Sequence, residues 1–426
     1  METKIYKRLP YGISDFKKII TENYAYVDKT RYIEMLENES NPNQFFIRPR
    51  KFGKSLFFTT LMYYYDLNEA ENFEQLFGKL YIGKHPTPER NSYAILKLDF
   101  SGMDTSGEEG FKKSFSSNVQ DAVRNFFRIY SHIFPKADKY VDQIEQEKPG
   151  IWAIEKVFSA AELNKIKLFI IIDEYDCFAN DLIAMGNYLD NDFNKTMVAA
   201  KGLMRNFYAR IKVATKSSIA KRTFITGASP VMLDDITSGY NIGTIFSLYP
   251  QYNEMMGFSQ EEVEWLMRET GVDESYINID IETYYGGYLF HKDGKCRVYN
   301  PAMMLYFFSQ IIEFGKPPEN IVDMHLKTDY ERLRHLVQND KNRETLVQIM
   351  KESDVIEDIQ KTFPIDSLND EQYFISLLFY IGLLTIKEPY WFQLKLTIPN
   401  YSIKTLYREY ITKIIQETSP DLHIKH

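Results

Sequence analysis

A chain of 426 residues with 44% hydrophobic and 26% charged residues can bury two or three domain cores and is ordinary for a soluble globular protein. A formal net charge of -8 excludes a surface that is mainly a nucleic-acid footprint, and two cysteines, Cys177 and Cys296, exclude a disulfide framework or a four-cysteine metal site. The start, METKIYKRLPYGISDF, lacks the apolar core of a signal peptide, and no run of about 18 apolar residues exists to span a bilayer, so a soluble cytoplasmic protein with no membrane partner is expected.

In chain order, NQFFI (43–47) reads as a short buried strand that leads through RPRKFGKS into SLFFTTLMYYY, which has the length and residue types of a buried helix. YAILKLDFS (93–101) predicts a second strand, and the stretches 108–133 and 137–163 predict helices. In KIKLFIIIDEYD (165–176) the apolar run Leu168 to Ile172 passes straight into two carboxylates. A helix over 192–215 and a fourth strand in RTFITGASP (222–230) follow. Strands alternating with long helical crossovers predict an α/β fold, a mostly parallel sheet with helices on both faces, over residues 1–250. Beyond it, 251–329 reads as a small helical, lid-like region with a short hairpin. Residues 330–383 read as helical, and GLLTIKEPYWFQLKLTIPN as two strands about a Glu-Pro turn, so 330–426 has a winged-helix-like outline.

Ligands of parallel sheets bind beyond the carboxyl ends of the strands, and three segments converge there. The first, Arg50, Lys51, Phe52, Gly53, Lys54, Ser55 and Leu56, resembles the second half of a phosphate loop, with Arg48 where the formula has its first glycine. In such a loop backbone N–H groups and the start of the next helix cradle phosphates; Gly53 lets the chain approach, Lys54 reaches the outer phosphates and Ser55 ligates Mg2+. Pro49 has no N–H but precedes the main donors, and Arg48, Arg50 and Lys51 add positive charge. A basic turn before a buried helix would account for this stretch alone.

The second segment supplies a partner. Asp173 at the end of a buried strand can hold hydrated Mg2+, and Glu174 beside it can act as general base. The plain alternative is a helix cap, a role open to Asp176. The third places Thr226 and Ser229 where hydroxyls could sense a γ-phosphate, or simply lie in a loop, while Arg222 should sit at the far end of the sheet. Cys177 reads as a packed thiol, with no Cys/His pairing to make it a nucleophile.

LPYGISDFKKI, YAYVDKTRYI, FIRPRKFGKS, FIIIDEYD, FITGASPVMLDDITSGYNI, YYGGYLF and VYNP, in this order, resemble the bacterial AAA-ATPase-like family over roughly residues 5 to 400. The resemblance implies a P-loop NTPase fold of the AAA/STAND type that binds ATP and Mg2+, with Lys54 and Ser55 in the phosphate loop and Asp173 and Glu174 in the acidic motif. Asp28, Lys29, Gly239, Asn241, Tyr288, Asn300 and Pro301 also match family positions; Asp28 lies where an adenine could dock, and Asn300 suits a helix cap. Many members continue into a restriction-endonuclease-like domain; no carboxylate, carboxylate, x, lysine constellation is visible here, so nuclease activity is not expected. The leading expectation is Mg2+-dependent hydrolysis of ATP that drives a conformational switch. The alternatives are a nucleotide-gated interaction module with negligible turnover, whose output is a partner or a homo-oligomer, and a DNA-associated component of a defence or mobile-element system, with DNA or a nuclease as partner.

Overall fold

The computed structural model describes residues 5–144, 150–185, 191–231, 233, 240–323, 340–362, 364, 367 and 370–418. Gly239 and the domain boundary expected at 329/330 lie outside the described residues. Strands β1 (Asn43–Ile47), β2 (Ala94–Asp99), β3 (Leu168–Asp173), β4 (Ala220–Gly227) and β5 (Thr244–Ile245) form one sheet in the order β2-β3-β4-β1-β5, every neighbour parallel. Every residue of β1 and β3 is buried, which is why both read as unbroken apolar runs. The helices Lys54–Tyr65, Glu108–Ile129, Ile154–Asn164 and Asn191–Lys216 flank this sheet, which has the α/β P-loop NTPase architecture. The register sets Asp99 beside Asp173, and Phe46 and Ile47 beside Thr226 and Gly227, so the carboxyl ends of four strands share one rim.

Rings fill much of the interior. Phe100 stacks on Phe115, and Phe207 meets both edge-on, which closes helices Glu108–Ile129 and Asn191–Lys216 over the sheet. A tyrosine hydroxyl serves the sheet edge: Tyr130 Oη accepts the Ile95 N–H of β2 at 2.9 Å.

Past β5 the chain forms helices Gln260–Thr270, entered through a capping box of Ser259 and Glu262, and Pro301–Phe314, capped by Asn300 with proline in the first turn. A single antiparallel bridge, Tyr288 to Val298, stands where the sequence reads as a hairpin. Next come helix Asp340–Glu352, strand β6 (Asp354–Glu357), helix Glu371–Tyr380, strands β7 (Thr385–Tyr390) and β8 (Gln393–Thr397), and helix Tyr401–Thr418. The three strands make an antiparallel sheet in the order β6-β8-β7.

Two expectations change here. Residues 330–383 are not helical throughout, because DVIE forms β6. The hairpin turns at Trp391, whose φ of 52° is left-handed, and not at Glu388-Pro389: Pro389 sits inside β7, tolerated because β7 is an edge strand and a missing N–H there breaks no ladder bond. The C-terminal sheet is bonded to the preceding segment, with Leu289 N–H donating to Thr385 Oγ1 at 2.7 Å and Asn400 Nδ2 to the Gly286 carbonyl at 2.9 Å.

Candidate functional site

The loop between β1 and its helix has two left-handed residues, Lys51 with φ 66° and Gly53 with φ 92°. A Cβ on Gly53 would meet nothing within 4 Å, so glycine answers the backbone angle there and not crowding. The first helical bond runs from Phe57 N–H to the Gly53 carbonyl at 3.0 Å. It leaves the N–H groups of Lys54, Ser55 and Leu56 without intrahelical acceptors at the positive end of the helix.

Lys54 is buried at 7% exposure, and its ammonium donates to the carbonyls of Arg48 at 2.9 Å and Pro49 at 3.0 Å. Burial lowers its pKa, while Asp173, Asp176 and Glu174 within electrostatic reach oppose the change. Ser55 is half-buried in the first turn, Arg50 and Leu56 are half-buried, and Lys51 is exposed. Phe52 is buried and meets Tyr288 and Phe290 edge-on at 4.9 and 5.4 Å.

The acidic strand ends beside the loop. Asp173 Oδ1 accepts the Thr226 hydroxyl and, at 3.0 Å, the Glu174 N–H; among the described residues no hydrogen bond reaches Oδ2. Glu174 is half-buried with φ 51°, a left-handed conformation that costs a non-glycine residue about 1 kcal/mol and concentrates at functional sites. Burial raises its carboxyl pKa, and Arg50 and Lys54 pull it back down.

Asp176 is buried and ties the two strand ends together. Its Oδ2 accepts Ser229 N–H at 2.7 Å, Ser229 Oγ at 2.9 Å and Asn180 Nδ2 at 2.8 Å, and its Oδ1 accepts Ala228 N–H at 3.0 Å. It therefore clasps the exit of β4 instead of capping its own helix. Gly227 makes room: a Cβ there would lie 2.4 Å from the Tyr175 ring and 2.5 Å from Asp176 Oδ1. Sequence reading gave no sign of this clasp except the pairing of Asp176 with a Gly-Ala-Ser turn. It also passed over Asp99, whose strand-end carboxylate signal was on view in KLDFS and whose register puts it level with Asp173.

The structure thus brings Arg50, Lys54, Asp173, Glu174 and Thr226 to one place, with Ser55 in the adjoining helical turn. Ser229 reaches that rim with its hydroxyl turned to Asp176. Arg48 departs from its expected contribution to the charge of the site, because its side chain is buried on the side of the loop facing residues 247–290. Arg222 lies toward the other end of β4, donating to the Glu37 carbonyl at 3.3 Å. Asp28 is spent on structure: Oδ1 accepts Thr30 N–H at 2.9 Å and Oδ2 accepts Tyr81 N–H at 2.7 Å. Lys29 holds Glu262 at 2.6 Å, Asn241 accepts Lys212 Nζ at 2.5 Å, and Asn300 Oδ1 accepts Ala302 N–H at 3.0 Å as a cap. Burial pushes the Cys177 thiol up to about 12, a packed group and not a nucleophile.

No group of three or more His, Cys, Asp or Glu among the described residues could hold a metal unaided. The hydroxyl of Ser55 and the carboxylate of Asp173 suit a magnesium ion that takes its other ligands from phosphate and water. Among the described residues no helix is long and apolar enough to cross a membrane.

A family model described as "AAA-ATPase_like: Predicted AAA-ATPase" matches residues 10–237. An uncharacterized protein in the vnfD 5' region of Azotobacter chroococcum mcd 1 is 25% identical over 312 residues, which are 71% of this chain and 52% of that protein. The chain spans about half the length of this curated relative. A crystal structure of CDC6P from Pyrobaculum aerophilum aligns over 98% of this chain and 97% of its own at 13% identity, with a TM-score of 0.32.

Proposed function

The chain belongs to the predicted AAA-ATPase family, and from that premise we propose that it binds ATP at the rim of β1, β3 and β4 and hydrolyses it to ADP and phosphate to drive a conformational switch. The observation that carries the reading is the meeting of Lys54 with Asp173 and Glu174, from distant parts of the sequence, at one strand-end rim where their charges act on one another. In this reading the N–H groups of Lys54, Ser55 and Leu56 and the Lys54 ammonium bind the outer phosphates. Lys54 exchanges the carbonyls of Arg48 and Pro49 for phosphate oxygens, which offset the loss of hydration that burial imposes on it. Ser55 and Asp173 would hold Mg2+, which when bound would offset charge on the phosphates. Glu174, its carboxyl pKa raised by burial toward the working pH, takes the proton of the attacking water. Thr226, bonded to Asp173, and Ser229, bonded to Asp176, sense the γ-phosphate through those carboxylates. Two cysteines that stay free suit the reducing cytoplasm, where we place the protein.

The test is ATP binding and phosphate release by the full chain with Mg2+. Lys54→Ala loses binding; Glu174→Gln keeps binding and loses turnover. Wild-type protein that binds ATP and releases no phosphate above the Glu174→Gln background would overturn hydrolysis in favour of a nucleotide-gated interaction module. Wild-type protein that does not bind ATP would overturn both.

A further inference from the structure

Arg48 occupies the place of the first glycine of the phosphate-loop formula, and the structure shows what the substitution brings. The left-handed loop positions among the described residues are Lys51 and Gly53, so position 48 does not call for glycine. Arg48 is 1% exposed, and among the described residues every acceptor its guanidinium meets is a main-chain carbonyl. Nη1 donates to Ile47 at 3.2 Å and to Ser247, and Nη2 donates to Tyr252 at 2.9 Å. The group lies 4.0 Å from the ring centroid of Phe290 and 5.0 Å from that of Phe46. Among the described residues no carboxylate pairs with this cation; burying it so is costly, and an apolar side chain would fill the space without that cost. Arginine alone supplies a planar fork that joins the end of β1 to the 247–252 segment while stacking on a ring from a third segment.

Its effect reaches the chemistry through the main chain. The Arg48 carbonyl is one of the two acceptors that hold the Lys54 ammonium, and Pro49 supplies the other. The rest of the loop is seated on the same surface: Phe52 packs on Tyr288 and Phe290, a Cβ on Gly382 would come within 3.0 Å of Pro49, and Ala302 N–H donates to the Lys51 carbonyl at 3.4 Å.

We propose that Arg48 is a positioning residue that anchors the entrance of the phosphate loop to the C-terminal half, so that the loop's affinity for nucleotide depends on how residues 247–252 and Phe290 pack around its guanidinium. The proposal rests on the ATP-binding reading for its consequence, though the anchor can be tested without nucleotide. It makes position 48 the opposite of a lapsed glycine: restoring the standard formula should damage the loop.

The experiment compares wild-type, Arg48→Gly, Arg48→Lys and Phe290→Leu in the full chain by binding of a fluorescent ATP analogue with Mg2+, hydrogen exchange without nucleotide, and thermal melting. Arg48→Gly is expected to bind about tenfold more weakly, the loss of one buried charge-assisted anchor. Exchange should quicken at residues 57–60, the first hydrogen-bonded amides of the helix that follows the loop, while helix Glu108–Ile129 keeps its protection. Phe290→Leu should shift both readouts the same way by a smaller amount, and it decides the matter with Arg48→Lys if Arg48→Gly does not fold. Arg48→Gly binding as tightly as wild-type, with unchanged exchange at 57–60, overturns the anchor. If wild-type protein binds no nucleotide, the ATPase reading fails separately; local quickening at 57–60 then upholds the anchor, and unchanged exchange there refutes it.

Discussion

Replacing Asp176 with alanine should unfasten the rim where β3 and β4 end. In the native chain its carboxylate accepts two backbone N–H groups, from Ala228 and Ser229, one hydroxyl from Ser229 and one amide from Asn180. The side chain is 2% exposed, so water does not replace it freely. Stranding a buried donor costs about 1–3 kcal/mol. With two main-chain donors stranded, the hydroxyl and amide free to turn, and some water admitted to the space left behind, the net loss should be about 3 kcal/mol. At about 2–4 °C per kcal/mol for a unit of some 200 residues, the melting midpoint should fall by roughly 6–12 °C. Asp176→Asn keeps the shape and one acceptor but turns an N–H₂ toward donors, so its loss should be about half as large. Gly227→Ala is an independent route to the same result, because the new Cβ would collide with Asp176 Oδ1 and the Tyr175 ring. Circular-dichroism melting without nucleotide measures all three. A drop of less than about 2 °C for Asp176→Ala, or a larger drop for the asparagine variant than for the alanine one, would refute the clasp.

Two further outcomes follow from buried titratable groups. Burial is the largest influence on Glu174 and raises its carboxyl pKa in the folded protein, so its favourable contribution is complete below the ordinary pKa of 4.5 and fades as pH rises through the folded value. Nucleotide-free Glu174→Gln should therefore melt at or above the wild-type temperature near pH 8 and lose that advantage toward about pH 4; a variant less stable at the higher pH contradicts the sign. The Cys177 thiol, pushed up to about 12 and buried, should resist a thiol reagent near pH 8 until the protein unfolds, as mass spectrometry of the labelled peptide would show. Labelling at the rate of an exposed thiol in the native state would contradict its packing.

The parts of the fold that can be read in the sequence are those whose cause is local. NQFFI and LFIIID are strands buried on both faces, and an unbroken apolar run is the signature of that environment. Asp173 and Glu174 are legible because they end such a run, and Lys54 because it opens the helix that a short loop joins to the other, at the side of a parallel sheet where ligands bind. β5 is only two residues long and carries no periodicity to detect. DVIE is a strand because β8 pairs with it, a cause that lies well beyond any window around it. Pro389 signals a turn by type, yet edge position overrides type, and the turn moves to Trp391. Arg48 is the clearest case of long-range cause: its neighbours in the chain suggest a charge at a phosphate site, while Ser247, Tyr252 and Phe290 decide where its guanidinium goes.

The same distinction bears on the winged-helix outline at the C-terminus. An element that reads duplex DNA must offer a helix face or a hairpin whose cations are free to replace counterions at phosphates. The helix directly before the hairpin, Glu371–Tyr380, is buried at every residue from Phe374 to Tyr380. The hairpin lysines already have partners: Lys387 pairs with Asp354 at 2.6 Å, and Lys395 with Glu388 at 3.2 Å and with Asp354 at 3.6 Å. The hairpin tip is aromatic, with Trp391 87% and Phe392 95% accessible. Ion pairs at the surface are weak, about 0–1 kcal/mol, so phosphates could displace them, but each displacement would leave a carboxylate facing the DNA backbone. Duplex DNA should therefore show no more than weak, non-specific retention at physiological salt, and Lys387→Ala with Lys395→Ala should leave even that unchanged. Fluorescence anisotropy of a labelled duplex across a salt series tests this. Tight binding whose salt dependence shrinks in the double variant would mean that the hairpin lysines are free when DNA arrives, and that the helical unit presents a face other than the one described.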